Sequence, residues 1–140
     1  MPIADIAQQI IDEFALLPDW MDKYEHLIEL GRTLPPFDEK HKTDTHLIEG
    51  CQSRVWLSAA CHDGIITFTA DSDAIITKGI VSLLVRVFSG QPPQAVLDAD
   101  LDFINQIGLK ENLSPTRSNG LLAMVKQMKM YALAFLHKKP

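Results

Sequence analysis

The chain has 140 residues, 46% hydrophobic and 22% charged, and its 13 Lys and Arg against 18 Asp and Glu leave a net charge of −5. That balance fits one ordinary globular domain over 1–140 with a sizeable core. It speaks against a nucleic-acid binder, which lays a basic stripe on phosphates, and against a membrane-surface protein held by cations. No apolar run approaches the ~20 residues that span a bilayer, and the opening MPIADIAQQIIDEF carries acids where a signal peptide carries basic residues, so a cytoplasmic protein with reduced thiols is expected.

Ile3, Ile6, Ala7, Ile10 and Phe14 recur at helical spacing and predict an amphipathic helix over 2–16, with Pro2 at its start and Pro18 beyond its end. Asp19 is placed to cap a second helix through Leu34, with Trp20, Tyr24, Leu27, Ile28 and Leu34 towards the core and Pro35–Pro36 stopping it. The polar run FDEKHKTD reads as a loop, and THLIEG as a short strand leading to a Gly50–Cys51 corner. Residues 54–62 alternate as a strand with Val55, Leu57, Ala59 and Cys61 on one face; Asp63–Gly64 is a two-residue hairpin turn, and IITFTAD returns.

The period then changes. SDAIITKGIVSLLVRVF predicts a largely buried helix, capped by Asp or Ser and ended at Gly90. PPQAVLDAD and LDFINQIG are short helical turns. A last helix from about Thr116 to His137 offers Leu121, Leu122, Met124, Val125, Met128, Tyr131, Leu133, Phe135 and Leu136 to the core. The seven glycines read as turn and helix-end residues. The sum is an α+β domain, a small antiparallel sheet of about three strands packed on one side by helices.

The chemistry-bearing stretch is EGCQSRVW, Glu49 to Trp56. A packed, inert thiol is the commoner fate of a cysteine. Here Gly50 lets the backbone bend, Gln52, Ser53 and Arg54 are polar, and the Arg54 cation favours thiolate over thiol, which together suit a displayed, reactive Cys51. Cys61, on the strand face of Val55 and Leu57, reads as a small packed thiol. An extended chain would hold the two cysteines roughly 30 Å apart, too far for a disulfide.

Other cysteine chemistry lacks its parts. His26, His41, His46, His62 and His137 are scattered, with His46 read as a solvated strand residue, so no hydrolase pairing is recognisable. No CxxC or HxxxH marks a metal site, and no glycine-rich loop cradles phosphate. An isolated thiolate can still exchange sulfur with a disulfide or persulfide. A thiol peroxidase, and an adaptor that carries no sulfur, are the alternatives.

GCQSRVW resembles the cysteine motif of the SufE family (SufE and its relative CsdE), and ELGRTLP, DSDAIITKG and LSPTRSNGL match further family blocks in order. The resemblance implies a sulfur acceptor whose Cys51 takes persulfide sulfur from a SufS- or CsdA-like cysteine desulfurase, stimulates that enzyme, and passes the sulfur to an iron–sulfur scaffold or another acceptor. It implies no cofactor on this chain, since pyridoxal phosphate belongs to the desulfurase, and it admits a homodimer. Gly50, Gln52, Ser53 and Arg54 then surround the acceptor. Asp73 reads either as a helix N-cap or as a neighbour that sets the cysteine loop. Arg117, a cation near a helix start where the dipole disfavours it, would have the Cys51 loop or Asp73 as its partner. Trp56 would shield the loop, touch the partner, or pack against a helix.

Overall fold

A computed structural model describes residues 2–44, 46–48, 53–109, 113 and 115–137, with 115–117 described by backbone alone. Two helices open the chain, α1 (Ile3–Ala15) and α2 (Trp20–Arg32), followed by a 3₁₀ turn at Glu39–His41. An antiparallel hairpin, β1 (Val55–His62) and β2 (Ile65–Ser72), leads into α3 (Ile75–Phe88). Short helices α4 (Pro93–Asp98) and α5 (Asp102–Gln106) precede the long α6 (Pro115–His137). The α+β architecture follows the pattern of the sequence, with helices packed on a small sheet.

The hairpin forms because its turn residues tolerate the left-handed backbone. Asp63 and Gly64 sit at φ of 53° and 77°, the pair of positive angles that a twisted two-residue turn demands. The register then puts Val55, Leu57, Ala59 and Cys61 opposite Ser72, Ala70, Phe68 and Ile66 on one face. That face is covered by α3 and α6, whose Val81, Leu84, Met124 and Met128 meet Val55, Leu57 and Ala70. Ala59 and Cys61 share the inward parity but stay half-buried, although Phe68 and Ile66 opposite them are buried.

Of the expected third strand, the described residues 46–48 show one bridge. Leu47 pairs with Trp56, with Ile48 N–H donating to the Val55 carbonyl at 2.8 Å and Leu57 N–H to that of His46 at 2.9 Å. Just upstream, His46 N–H turns back to the Thr43 carbonyl at 3.1 Å, so the chain bends instead of extending. On the other edge, Gln91 pairs with Ile66 after α3 ends.

Helix α3 is the centre of the packing, with nine of its fourteen residues buried. Glycines are what bring α2 so close to it. A Cβ on Gly79 would stand 2.2 Å from the Leu27 carbonyl oxygen, and one on Gly31 would stand 3.0 Å from the Gly79 nitrogen. Gly31 is in the last turn of α2, but Gly79 lies inside α3 and Gly120 inside α6, which corrects for those two the reading of the glycines as turn and helix-end residues. Three residues beyond Gly79, the Ser82 hydroxyl donates to the Leu30 carbonyl at 2.9 Å. Arg86 forks onto the Glu13 carboxylate of α1, and this partner holds the Glu13 carboxyl below its usual range.

Helix α6 buries Leu121, Met124, Val125, Met128 and Ala132, but leaves Leu122 and Leu133 exposed, contrary to their expected place in the core. Those two sit on the solvent side of the stripe that repeats every three or four residues. Of the α2 candidates only Leu27 is fully buried; Trp20, Tyr24, Ile28 and Leu34 are half-buried. No helix among the described residues is long and apolar enough to cross a membrane.

Candidate functional site

Gly50, Cys51 and Gln52 lie outside the described residues, and so does the side chain of Arg117, whose backbone is in the first turn of α6. The structure does describe both flanks of the cysteine, Ile48 on one side and Ser53–Arg54 on the other. Both are fastened at the end of the hairpin away from its turn.

On the downstream flank the strand-to-helix corner Ser72–Asp73–Ala74 holds Arg54. Asp73 Oδ1 accepts from Arg54 N–H at 3.0 Å, and Asp73 N–H donates to the Arg54 carbonyl at 3.2 Å. The Ser72 hydroxyl donates to the same carbonyl at 2.8 Å and accepts from Ala74 N–H at 3.2 Å. The N-cap position of α3 is Ala74, which makes no side-chain cap. The expected Asp or Ser cap is therefore corrected: the helix starts a residue late for Asp73 to cap it, and both polar side chains turn back to the cysteine flank instead. Arg54 itself points its side chain to solvent, and Ser53 is half-buried.

On the upstream flank a chain of contacts runs along residues 37–48. The Phe37 ring meets His41 edge-on at 6.2 Å, and His41 stacks on His46 at 4.8 Å. His46 also has Thr43 Oγ1 3.3 Å from its Nδ1, so it is a half-buried turn residue and not the solvated strand residue expected. Lys42 Nζ bonds Asp71 at 3.0 Å and Glu39 at 3.1 Å, and lies 5.4 Å from the centre of the Trp56 ring. Trp56 is thus roofed by a cation from the 3₁₀ region, which the negative face of the indole attracts.

Asp71 ties this flank to α3 as well, through Lys78 at 3.2 Å. Burial pushes the Asp71 carboxyl up, but Lys42, Ser72 N–H and Lys78 together outweigh it and hold the group below its usual value. A carboxyl with a depressed folded value stabilises the protein above its unfolded value and loses that contribution as pH falls through the folded one. The stability difference between wild type and Asp71→Asn is therefore expected to be largest near neutrality and to shrink below about pH 4. Urea midpoints at neutral and acid pH measure it, and a constant difference would contradict the pairing.

Sequence reasoning named Asp73, Ser53 and Arg54 at the site, had Ser72 only as a helix cap, and missed Lys42 and Asp71. One signal for Ser72 was present, a serine at the inward parity of an otherwise apolar strand. Cys61 is a free, half-buried thiol packed at the edge of the core. No cluster of three or more His, Cys, Asp or Glu that could hold a metal occurs among the described residues. An open cleft of about 290 Å³ lies between α5 and α6, lined by Leu101, Ile104, Ser118 and Leu122 among others, and shares no residue with either flank.

The profile described as "SufE: Fe-S metabolism associated domain" matches residues 8–132. An uncharacterised SufE-like protein of Rhizobium meliloti (strain 1021) is 40% identical over 129 residues, covering 89% of this chain and 92% of its own. One of Rhizobium etli is 44% identical over 127 residues, covering 86% and 85%. The chloroplastic/mitochondrial SufE-like protein 1 of Arabidopsis thaliana is 40% identical over 127 residues, covering 90% of this chain but 34% of that longer protein. A solution structure of a hypothetical protein from Thermus thermophilus superposes with a TM-score of 0.78 at 23% identity, covering 94% and 96%, a likeness of fold. The matches span almost the whole chain, and this protein belongs to the SufE family, whose domain is associated with iron–sulfur metabolism.

Proposed function

We propose that this protein accepts sulfur on Cys51 from the persulfide of a cysteine desulfurase, relieves that enzyme of its product, and delivers the sulfur towards iron–sulfur cluster assembly. What carries the reading is membership of the SufE family over a span that includes the GCQSRVW segment. The geometry of the flanks agrees with it, because Ile48 and Arg54, on either side of the cysteine segment, are both anchored to the hairpin.

The chemistry is exchange at sulfur. The Cys51 thiolate attacks the outer sulfur of the desulfurase persulfide, R–S–SH. A new S–S bond forms to Cys51, the S–S bond of the desulfurase breaks, and its inner sulfur leaves as a thiolate. The product on this chain is Cys51–S–SH. One sulfane sulfur and its proton have moved, with no net oxidation or reduction. The step asks for a nucleophilic thiolate and an open line of approach, and the cation of Arg54 would favour the thiolate.

The test is mass spectrometry of the intact protein after incubation with desulfurase and cysteine. Addition of one or more sulfur atoms at Cys51 is expected. Added oxygen after peroxide treatment, with peroxide consumed in the absence of a desulfurase, would instead establish a stand-alone cysteine-dependent redox enzyme. An unchanged mass with an altered desulfurase rate would establish an adaptor. Cys61→Ala is expected to take up sulfur at close to the wild-type rate, because Cys61 packs on the inward face of β1; labelled sulfur on Cys61 would overturn the assignment.

A further inference from the structure

We infer that the solvent face of α6 is a docking surface for one amphipathic helix of a partner protein. That helix lies antiparallel to α6, with acidic residues in its first turns and basic residues in its last. The surface is separate from the sulfur chemistry of Cys51 and does not depend on it.

Large apolar side chains stand in water on this face. Leu122, Met130 and Leu133 are 65%, 53% and 46% exposed. With Lys126 and His137 they follow the spacing of one helical stripe, on the far side of α6 from Leu121, Met124 and Met128, which are buried. From Leu122 to Leu133 the stripe runs about 16 Å, or three turns, which suits a docked helix better than one inserted side chain. Lys126 interrupts it only with an aliphatic stem that ends in a charge.

Charge decides what can lie there. The α6 sequence carries Arg117, Lys126, Lys129 and His137 but no Asp or Glu, in a chain whose net charge is −5. Lys129 is committed, donating to the Leu97 and Ala99 carbonyls at 3.1 Å each. Among the described side chains this leaves Lys126 and His137 as the exposed basic groups of the stripe, and a helix crossing them needs acids.

At its other end the stripe borders the 290 Å³ cleft, whose described lining holds the Asp100 and Asp102 carboxylates and no cation. Leu122 belongs to both, so a helix seated on the stripe extends over the cleft. There an apolar side chain meets Leu101, Ile104 and Leu121, and a Lys or Arg meets the two carboxylates. A helix by its own dipole prefers acids in its first turn and bases in its last. Acids over His137 and Lys126, with bases over Asp100 and Asp102, satisfy that preference only in the antiparallel direction.

The probe is a fluorescein-labelled model helix of about five turns, with Leu along one face, Glu in its first turns and Lys in its last. It is compared with the same peptide with Glu and Lys exchanged. Fluorescence anisotropy is expected to show the first binding about tenfold tighter at low salt, the gap closing as salt is added. Lys126→Glu should narrow or reverse the preference. A difference in peptide helicity would not do so, since it is the same for both proteins. Leu133→Asp should weaken the first peptide about tenfold or more, with a melting temperature near wild type; should it fail to fold, Lys126→Glu decides. A nitroxide on the first residue of the peptide should broaden the Ala134 and His137 amides and spare Asn119. The proposal is overturned if the first peptide does not bind, if both bind equally at low salt, if Lys126→Glu keeps the full preference, or if Asn119 broadens. A dimer of the free protein that Leu133→Asp splits also overturns it, for a second copy then covers the stripe. None of these results touches the acceptor role of Cys51, which Cys51→Ser tests separately.

Discussion

Cys51→Ser is expected to take up no sulfur from a persulfide-loaded desulfurase, while keeping its fold. The loss should be complete, because a serine hydroxyl is not ionised at neutral pH and lacks the soft nucleophilicity that thiol exchange requires. The fold should survive because the flanks are fixed by bonds among the described residues. Ile48 bonds Val55, Leu57 bonds His46, and Arg54 bonds Ser72 and Asp73. Thermal unfolding is therefore expected to shift by no more than a few degrees. Sulfur uptake in this variant would refute the assignment outright. Loss of uptake accompanied by loss of structure would make residue 51 a folding residue, and a Cys51→Ala variant with a native melting curve would then be needed to restore the reading.

Local signals were the legible part of the fold. Ile10 and Phe14 lie on the buried stripe that their spacing demanded, and Asp63–Gly64 makes the turn that its residue types allow. Asp19 caps α2, accepting from Asp22 N–H at 2.9 Å. What escaped were features decided across the molecule. THLIEG has the composition of a strand, yet among its described residues, 46–48, only Leu47 bridges β1, and His46 N–H turns back to the Thr43 carbonyl. Periodicity placed Leu122 and Leu133 on an apolar helix without telling which side of it the sheet would cover. Around the cysteine, Asp73 was legible as one of two things, and the choice between helix cap and loop anchor depended on Arg54 arriving from nineteen residues earlier. The network of Lys42, Asp71 and Lys78 joins three separate segments and had no local signature at all.

Glycine offers the sharpest case, and Gly79→Ala is expected to be strongly destabilising. By helix propensity alone the change should help, adding about 1 kcal/mol of stability in a helix interior. The packing opposes it. The new methyl would lie 2.2 Å from the Leu27 carbonyl oxygen and 2.7 Å from its carbon, both backbone atoms that cannot swing aside like a side chain. Helix α2 would have to retreat from α3 along the line where Gly31 and Ser82 also keep the two close. Overpacking of this kind costs about 3 kcal/mol or more, which outweighs the propensity gain and is a large share of ordinary domain stability. A fall of roughly 10 °C in melting temperature is expected, with Gly31→Ala milder because its nearest contacts are 3.0–3.4 Å. An unchanged or raised melting temperature in Gly79→Ala would mean the helices do not cross at this distance. The damage should also reach the sulfur site, for Gly79 lies one turn beyond Ile75, where α3 leaves the Ser72–Asp73–Ala74 corner that holds Arg54. Below its melting point the variant is thus expected to exchange the Arg54 amide faster than wild type. An Arg54 amide as protected as in wild type, in a variant that nonetheless melts early, would show that the corner holds the cysteine flank independently of how α2 and α3 are packed.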